Sequence, residues 1–188
     1  MTGVQTCALP ISIAESTSLP IVLYNAPGRT GVNLDVSTVS RLSVVPGIVG
    51  LKEASGNVTQ IAEIFASVPD TFLVISGDDA LTTAVMAVGG RGVISVVSNE
   101  APAEMAQIVE LCERGDYATA RKLFTWLLPL CQVNFVETNP IPVKAAMAAM
   151  GLMEETYRLP LVPPSAAARE RILRVLQHLR FLGAAARA

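Results

Sequence analysis

The sequence predicts an α/β fold in which a parallel β-sheet is covered by helices. Short apolar runs, rich in Ile, Val and Leu and bounded by Gly or Pro, alternate with segments whose apolar residues recur at helical spacing. Near-continuous apolar strands are typical of parallel sheets. The predicted strands end at Tyr24, Lys52, Gly77 and Val97, which lie 28, 25 and 20 positions apart. This spacing is near the roughly 30 residues per strand–helix unit of an eightfold barrel.

Four strand–helix units are predicted in order from Leu19. The strands are predicted at residues 19–26, 46–52, 71–77 and 92–97. The helices that follow them are predicted at residues 34–45, 58–68, 80–88 and 102–113. A turn is predicted at Pro27-Gly28, and Asp78-Asp79 is placed to cap the third helix. Beyond Glu113 the pattern predicts only helices, at residues 117–133, 142–151 and 165–182, and then a frayed tail at 183–188.

Composition excludes several classes of function. The chain has 188 residues, of which 51% are hydrophobic, so it can bury a sizeable core as one domain with an appendage. A net charge of −2 and the lack of a basic cluster argue against nucleic-acid binding. No apolar stretch reaches the length of a membrane span. The three cysteines form no C-x-x-C pair and suit a reducing cytoplasm, and the single His178 excludes His-based metal sites and catalytic triads.

The first residues are set apart from the fold. Residues 2–11 resemble one translated reading frame of a sequencing-adapter oligonucleotide. They resemble a signal peptide only superficially, because no Lys or Arg precedes Arg29 to form the basic segment that begins such peptides. We expect residues 1–11 to be an artefact of gene assembly and natural sequence to resume near Ser12. The chain would then be the downstream part of a longer protein.

Lys52 is the first candidate for chemistry, because it closes the second apolar strand. Parallel α/β folds build their active sites at the carboxyl ends of such strands. The chain has eleven arginines but only three lysines, Lys52, Lys122 and Lys144. An amine can lose its proton and attack a carbonyl, whereas a guanidinium stays charged. The alternative is a lysine that extends from a strand end into water.

Tyr24 and Arg29 are the next candidates. Tyr24 ends the first strand as Lys52 ends the second, so both would point into the same mouth of a parallel barrel, and a phenol there can relay protons. Arg29 lies in the loop that follows and can bind a substrate carboxylate through two hydrogen bonds. The alternatives are an ordinary strand aromatic and a solvated loop arginine.

Glycines and acidic residues at the later strand ends complete the candidates. Gly77 closes the third strand and Gly92 opens the fourth, which lets a ligand approach the backbone closely. Residues 89–92, Gly-Gly-Arg-Gly, precede a strand and lack the spacing of a nucleotide-binding fingerprint, so we interpret them as a turn. Asp78-Asp79 is interpreted as a helix cap, because no His, Cys or third carboxylate joins the pair to bind a metal.

Five ordered motifs carry a family resemblance. They are Tyr-Asn-Ala-Pro-Gly-Arg-Thr-Gly (24–31), Leu-Lys-Glu-Ala-Ser-Gly-Asn (51–57), Ser-Gly-Asp-Asp (76–79), Gly-Val-Ile-Ser-Val (92–96) and Asn-Pro-Ile-Pro-Val-Lys (139–144). In this order they resemble the 4-hydroxy-tetrahydrodipicolinate synthase family, also called dihydrodipicolinate synthases. This family belongs to the pyruvate-dependent class I aldolases, with N-acetylneuraminate lyase. The resemblance covers residues 19–182, and the first two motifs favour the synthases over the lyases.

The resemblance implies a fold and a reaction. The fold would be the C-terminal half of a (β/α)8 TIM barrel, strands five to eight, at residues 12–114, with a three-helix extension at 115–188. Lys52 would form a Schiff base with pyruvate and Tyr24 would relay protons. Arg29 would bind the carboxylate of aspartate semialdehyde, and the Ile94 backbone would line the pyruvate site with Gly77 nearby. The implied enzyme is a cytoplasmic homotetramer of lysine biosynthesis without metal or organic cofactor, since the imine itself withdraws electrons.

The sequence also departs from the family. The Gly-Thr-Thr-Gly-Glu motif that holds the pyruvate carboxylate has no counterpart here, nor do the second tyrosine and the lysine-inhibitor site. All three belong to the first half of the family, so we expect the chain by itself to be an inactive fragment. Two alternatives are another pyruvate-dependent aldolase, acting on a sugar acid or a different aldehyde, and a non-catalytic half-barrel that serves as a binding or assembly module.

Overall fold

Parallel strands and helices alternate along the first half of the chain, which confirms the predicted α/β class. The computed structural model describes the backbone of residues 3–182 and the side chains of residues 7–182, so the predicted frayed tail lies outside the described residues. The chain divides into two units, Met1–Ile94 and Ser95–Ala188. The division into residues 12–114 and 115–188 stays a prediction.

The first unit is built on a parallel sheet. Its strands are β1 (Ile21–Asn25), β2 (Ile48–Glu53) and β3 (Leu73–Ser76), in the spatial order β1-β2-β3. Its helices are α1 (Gly3–Ser16), α2 (Pro27–Thr30), α3 (Val36–Leu42), α4 (Val58–Ser67) and α5 (Thr82–Ala87). The first three predicted strands are therefore confirmed, with ends that differ by one or two residues.

The two faces of the sheet differ in burial. Leu23, Leu51 and Val74 pair in register across the strands, and each is less than a tenth exposed. They belong to a core cluster that also contains apolar residues of α3 and α4. The alternate positions point to the opposite face, where Val22 is 42% exposed and Leu73 is 39% exposed. One apolar face of this sheet is thus left uncovered within the first unit.

The predicted fourth strand at residues 92–97 does not form as a strand. Val93 alone pairs with Ser76, as an isolated parallel bridge. The chain then turns into a 3₁₀ helix, Val97–Asn99, and the hydroxyl of Ser95 accepts a hydrogen bond of 2.8 Å from the amide three residues further on. A serine that bonds to its own backbone in this way competes with sheet pairing.

Helix α1 covers residues that the sequence analysis leaves out of the fold. Cys7 and Ala14 are buried in the core cluster of the first unit, and Ile11 packs against that cluster. Pro10 lies inside the helix. The assignment of residues 1–11 to an assembly artefact stays a prediction.

The second unit is helical, as predicted beyond Glu113. Its helices are α6 (Pro102–Glu113), α7 (Tyr117–Val133), α8 (Ile141–Ala149) and α9 (Ala166–His178). Helix α7 packs on α6 and α9, and α8 packs on α9, around fully buried side chains such as Ile108, Leu127 and Leu176. None of the helices in residues 3–182 has the length and hydrophobicity needed to span a membrane.

Some predicted helices have different ends, for local reasons. The helix predicted at residues 165–182 ends at His178, shortly before Arg180 adopts a left-handed conformation with φ of 62°. The helix predicted at 80–88 begins with a 3₁₀ turn, where the Asp78 carboxylate accepts a hydrogen bond of 2.9 Å from the Ala80 amide. This bond confirms the predicted cap.

A charged cluster stabilises the second unit. Arg169 on α9 donates two hydrogen bonds to the Glu155 carboxylate, of 2.8 and 2.5 Å, and the Tyr157 hydroxyl donates a third of 3.0 Å. The hydrogen bond from Arg169 is the main cause that lowers the pKa of Glu155. Burial, followed by the hydrogen bond to Glu155, raises the pKa of Tyr157 to about 12. Lys144 lies over the Tyr157 ring, with its Nζ 5.3 Å from the ring centroid.

Replacing Glu155 by Gln is expected to lower the free energy of unfolding at pH 7 but not in acid. The Glu155 pKa is lowered by folding, so its stabilising effect is fully present above the unfolded pKa of about 4.3 and is lost as the pH falls through the lower folded pKa. Urea unfolding of the protein, followed by Trp126 fluorescence, measures this difference. Glu170→Gln is the control, because the pair of Glu170 with Arg174 is exposed and contributes little. A Glu155→Gln effect that does not change with pH contradicts this assignment.

Candidate active site

Lys52 and Tyr24 lie side by side at the carboxyl edge of the sheet. They are direct partners in the register of β1 and β2, so both side chains point to the uncovered face. The Nζ atom of Lys52 lies 4.2 Å from the centroid of the Tyr24 ring. Tyr24 is 54% exposed and Lys52 is half-buried, so both groups reach the surface of the described part of the chain on that face. The predicted pairing of an amine with a phenol is thus observed in the geometry.

Gly77 leaves the space through which the Lys52 side chain passes. A Cβ atom on Gly77 would lie 2.8 Å from Cβ of Ala54, 3.0 Å from Cε of Lys52 and 3.1 Å from the carbonyl oxygen of Glu53. The Gly77 amide also donates a hydrogen bond of 2.7 Å to that carbonyl, which continues the β2–β3 pairing by one residue. The glycine at this position is therefore explained by the close approach of the Ala54 side chain and the Glu53 carbonyl, with the Lys52 side chain also in contact.

Ile94 lies next to the end of β3. Its amide donates a hydrogen bond of 2.9 Å to the carbonyl oxygen of Ser76, the residue before Gly77. Its side chain is 47% exposed. The backbone around Ile94 therefore lies close to the strand end at which Gly77 approaches Lys52.

Arg29 lies in α2, the single helical turn that follows β1. Gly31 ends this turn with φ of 70°, a left-handed conformation that glycine adopts without strain. The guanidinium is exposed and, among the residues the structure describes, forms no ion pair or hydrogen bond. Arg29 lies five positions after Tyr24 in the sequence. The structure records no contact between the Arg29 side chain and Lys52.

A buried polar network that the sequence did not reveal lies behind these residues. Asn25 and Glu53, the neighbours of Tyr24 and Lys52 in sequence, are each 1% exposed, and the Asn25 Nδ2 atom donates a hydrogen bond of 2.9 Å to Oε2 of Glu53. The sequence contains a signal for this network. Two polar residues occupy the ends of adjacent strands, at positions whose side chains point to the face opposite Tyr24 and Lys52. No group of three or more His, Cys, Asp or Glu side chains suited to a metal ion occurs in the described part of the chain.

Comparison with known proteins decides the family. The model of the dihydrodipicolinate synthetase family matches residues 11–179. The chain belongs to this family. The predicted resemblance is thereby confirmed.

Members of the dihydrodipicolinate synthetase family resemble the chain closely but are longer. The 4-hydroxy-tetrahydrodipicolinate synthase of Koribacter versatilis is 51% identical over 152 residues, which are 81% of this chain and 51% of the relative. The dihydrodipicolinate synthase structure of Thermotoga maritima is 40% identical with a TM-score of 0.94, over 97% of this chain and 63% of that one. The Acinetobacter baumannii enzyme, solved in complex with pyruvate, is 36% identical with a TM-score of 0.94, over 97% and 62% of the two chains. The chain thus spans about half the length of the curated relatives it matches.

Replacing Gly77 by Ala is expected to displace Lys52 and to lower the free energy of unfolding by about 1–3 kcal/mol, as is usual for overpacking. The added Cβ would overlap Cβ of Ala54 at 2.8 Å. Gly28→Ala is the matched control, because a Cβ there meets nothing within 4 Å and lies in a helical turn. Its effect should stay within about 0.5 kcal/mol. Urea unfolding measures both variants, and equal curves for the two would contradict the packing argument.

Proposed function

We propose that the whole protein condenses pyruvate with L-aspartate 4-semialdehyde to give 4-hydroxy-tetrahydrodipicolinate. This is an aldolase-type lyase reaction of lysine and diaminopimelate biosynthesis. The observation that carries the proposal is the position of the Lys52 amine, 4.2 Å from the Tyr24 ring centroid at the exposed carboxyl edge of a parallel sheet. The names of the relatives support it, since Lys52 and Tyr24 lie within the region matched by the family model.

Lys52 acts as the nucleophile in this proposal. Its Nζ atom attacks the ketone carbon of pyruvate, and loss of water from the carbinolamine gives an imine. Removal of a methyl proton gives the enamine, with the imine nitrogen accepting the electron pair. The enamine carbon then adds to the aldehyde carbon of the second substrate. Ring closure by the amino group of that substrate displaces the lysine amine, so one water is released in total and Lys52 is regenerated.

Tyr24 relays the protons that these steps require. Carbinolamine formation adds a proton to the former ketone oxygen of pyruvate, and dehydration adds another as this oxygen leaves as water. A phenol held beside the amine can deliver these protons. The register of β1 and β2 supports this role, because it fixes Tyr24 directly opposite Lys52. Gly77 and the Ile94 backbone line the pyruvate site, a role supported by the close approach of Gly77 to Cε of Lys52.

Arg29 binds the carboxylate of aspartate semialdehyde. Its guanidinium is exposed on the turn directly after β1, and guanidinium groups bind carboxylates through two parallel hydrogen bonds. The absence of a protein carboxylate beside it, within the described residues, leaves its donors available for a ligand.

We further propose the architecture of the whole protein. Residues 12–114 contribute the second half of a TIM barrel, in which β1, β2 and β3 are the fifth to seventh strands and the segment bridged through Val93 stands in place of the eighth, and residues 115–188 form a helical extension. The uncovered apolar face of the sheet and the 51% coverage of the Koribacter versatilis relative support this layout. The whole protein acts in the cytoplasm as a homotetramer and uses the lysine–pyruvate imine in place of a cofactor.

A completed chain tests the proposed substrate. It consists of residues 12–188 preceded by the first half of the Koribacter versatilis relative. The completed chain should convert pyruvate and aspartate semialdehyde and show little turnover with sugar-derived aldehydes of similar length. Preference for a sugar-derived aldehyde would favour a different pyruvate-dependent aldolase.

Replacing Arg29 by Ala in the completed chain is expected to lower kcat/KM for aspartate semialdehyde about ten- to hundredfold. A charge-assisted hydrogen bond contributes roughly 1.5–3 kcal/mol, and a loss of that size corresponds to this range of kcat/KM. The rate at which pyruvate is trapped on the protein by borohydride should change much less. Arg41→Ala, at another exposed arginine of the same unit, is the matched control. Equal losses for both substrates would indicate a structural role for Arg29.

A further inference from the structure

A buried carboxylate lies directly behind the candidate active site. Glu53 follows Lys52 on β2, so its side chain points to the opposite face of the sheet, where it is 1% exposed. Its Oε1 atom accepts a hydrogen bond of 2.5 Å from the Ser55 amide, and its Oε2 atom accepts one of 2.9 Å from the Asn25 side chain. A carboxylate removed from water is costly unless hydrogen bonds compensate it, so the position of Glu53 depends on these partners.

Asn25 connects this carboxylate to the first strand. It follows Tyr24 on β1 and is also 1% exposed. Its Nδ2 atom donates to Glu53 and, at 2.8 Å, to Oδ1 of Asn33, while its Oδ1 atom accepts a hydrogen bond of 3.0 Å from the Leu34 amide. The Asn25 amide group therefore uses both donors and its acceptor.

The same network reaches the segment that carries Arg29. Asn33 lies four positions after Arg29, and its side chain exchanges hydrogen bonds of 2.8 and 3.3 Å with Gln60 on α4. Gln60 also donates to the Leu34 carbonyl at 3.3 Å. The loop after α2 is thus joined to both strand ends and to the start of α4.

We propose that Asn25 and Glu53 are positioning residues that hold the Tyr24 phenol and the Lys52 amine in reacting geometry, and that Asn33 holds the Arg29 segment. The inference rests on the proposed function. Each positioning residue is the sequence neighbour of a catalytic residue, so a shift of the buried pair rotates the strand end and moves the catalytic side chain on the other face. Misplacement by about 1 Å can slow a reaction about a hundredfold.

Two single variants and their combination test the buried pair. Asn25→Asp places two carboxylates against each other, and Glu53→Gln places two amides against each other. The double variant restores one donor and one acceptor in the buried pair with the same total charge, because Gln at 53 can donate to Asp at 25. The Asn33 and Gln60 amides must turn over to match, which breaks the hydrogen bond of 3.3 Å from Gln60 to the Leu34 carbonyl, so part of the loss remains. In the completed chain, each single variant should lower the rate of borohydride trapping of pyruvate about ten- to hundredfold, and the double variant should recover most of it.

Two controls separate positioning from general stability. Asn134→Asp alters a second buried Asn–Glu pair, in the helical unit, where Asn134 donates to Glu100. It should leave the trapping rate per folded molecule unchanged. Asn33→Ala removes the link to Gln60 and one acceptor of the Asn25 amide but keeps the Asn25–Glu53 hydrogen bond, so it should raise KM for aspartate semialdehyde much more than it slows pyruvate trapping. If the Asn25 and Glu53 variants do not fold, the KM of Asn33→Ala tests the proposal.

The outcomes distinguish this inference from the proposed function. If the unsubstituted completed chain traps no pyruvate, the proposed function fails and the inference fails with it. If it traps pyruvate and the folded single variants do so at the same rate, the positioning role alone is overturned. A folded double variant as slow as the single variants, or an unchanged KM in Asn33→Ala, also contradicts the positioning role.

Discussion

Replacing Lys52 by Arg in the completed chain is expected to abolish both the pyruvate adduct and turnover. Arginine keeps the positive charge and much of the side-chain volume, but its guanidinium does not deprotonate and cannot form the imine. The loss should therefore exceed the roughly hundred- to ten-thousandfold effect of removing a general acid or base. Stopped assays with and without borohydride, on protein whose folding is verified by circular dichroism, measure both quantities.

Lys144→Arg is the matched control for this variant. Lys144 also lies near a tyrosine ring, at 5.3 Å from the Tyr157 centroid, so proximity to a phenol alone does not separate the two lysines. The Tyr157 hydroxyl, however, is bound to Glu155 and its pKa is raised to about 12, which makes it a poor proton relay. Lys144 also projects from a helix rather than from a strand end. If Lys144→Arg lost the pyruvate adduct and Lys52→Arg kept it, Lys144 rather than Lys52 would be the nucleophile.

The chain by itself is expected to associate and to show no turnover, whereas the completed chain is expected to be soluble and active. In the first unit, β1 forms one edge of the sheet, and Val22 and Leu73 expose apolar surface on one face. Open strand edges and exposed apolar faces promote association between chains. In the proposed barrel, the first half covers this face and supplies the groups that orient pyruvate.

Size-exclusion chromatography with light scattering, together with turnover assays, measures the two forms of the protein. A monomeric 188-residue chain that unfolds cooperatively and turns over both substrates would contradict the half-barrel proposal. The alternative of a binding or assembly module would gain support from a soluble, monomeric and inactive chain.

The positions of the first three strands were predictable because each apolar run is too short for a buried helix and is bounded by turn-forming residues. The strand around Lys52 is bounded by Gly47 and Ser55, and every residue between Ile48 and Leu51 is apolar or glycine. Helix α7, predicted at residues 117–133, forms over that range because its capping residue, Asp116, accepts a hydrogen bond from the Thr119 amide at 3.0 Å.

The fourth strand was predicted wrongly for a physical reason. Apolar periodicity at residues 92–97 predicts a strand, but it carries no information about the Ser95 side chain, which accepts a hydrogen bond from a backbone amide. The chain leaves β3 after Ile94, whose amide still bonds to the Ser76 carbonyl. Local hydrogen bonds of this kind decide where a short strand ends and leave little trace in an apolar pattern.

The candidate site was predictable in part. The structure places Tyr24, Lys52 and Gly77 together as predicted, because all three lie at or next to strand ends and parallel strand ends meet at one edge of a sheet. Their roles stay predictions. Asn25 and Glu53 were missed, because a polar residue beside a candidate looks like part of a solvated strand end until its burial is known. Their role depends on which face each side chain occupies, and only the register of β1 and β2 fixes that.

The most direct test of the account is the location of the pyruvate adduct. The completed chain is incubated with pyruvate, reduced with borohydride, digested and analysed by peptide mass spectrometry. We expect a pyruvate-derived mass on the peptide that contains Lys52 and none on the peptides that contain Lys122 or Lys144. An adduct on either of those lysines, or no adduct on any lysine of a folded and active protein, would contradict it.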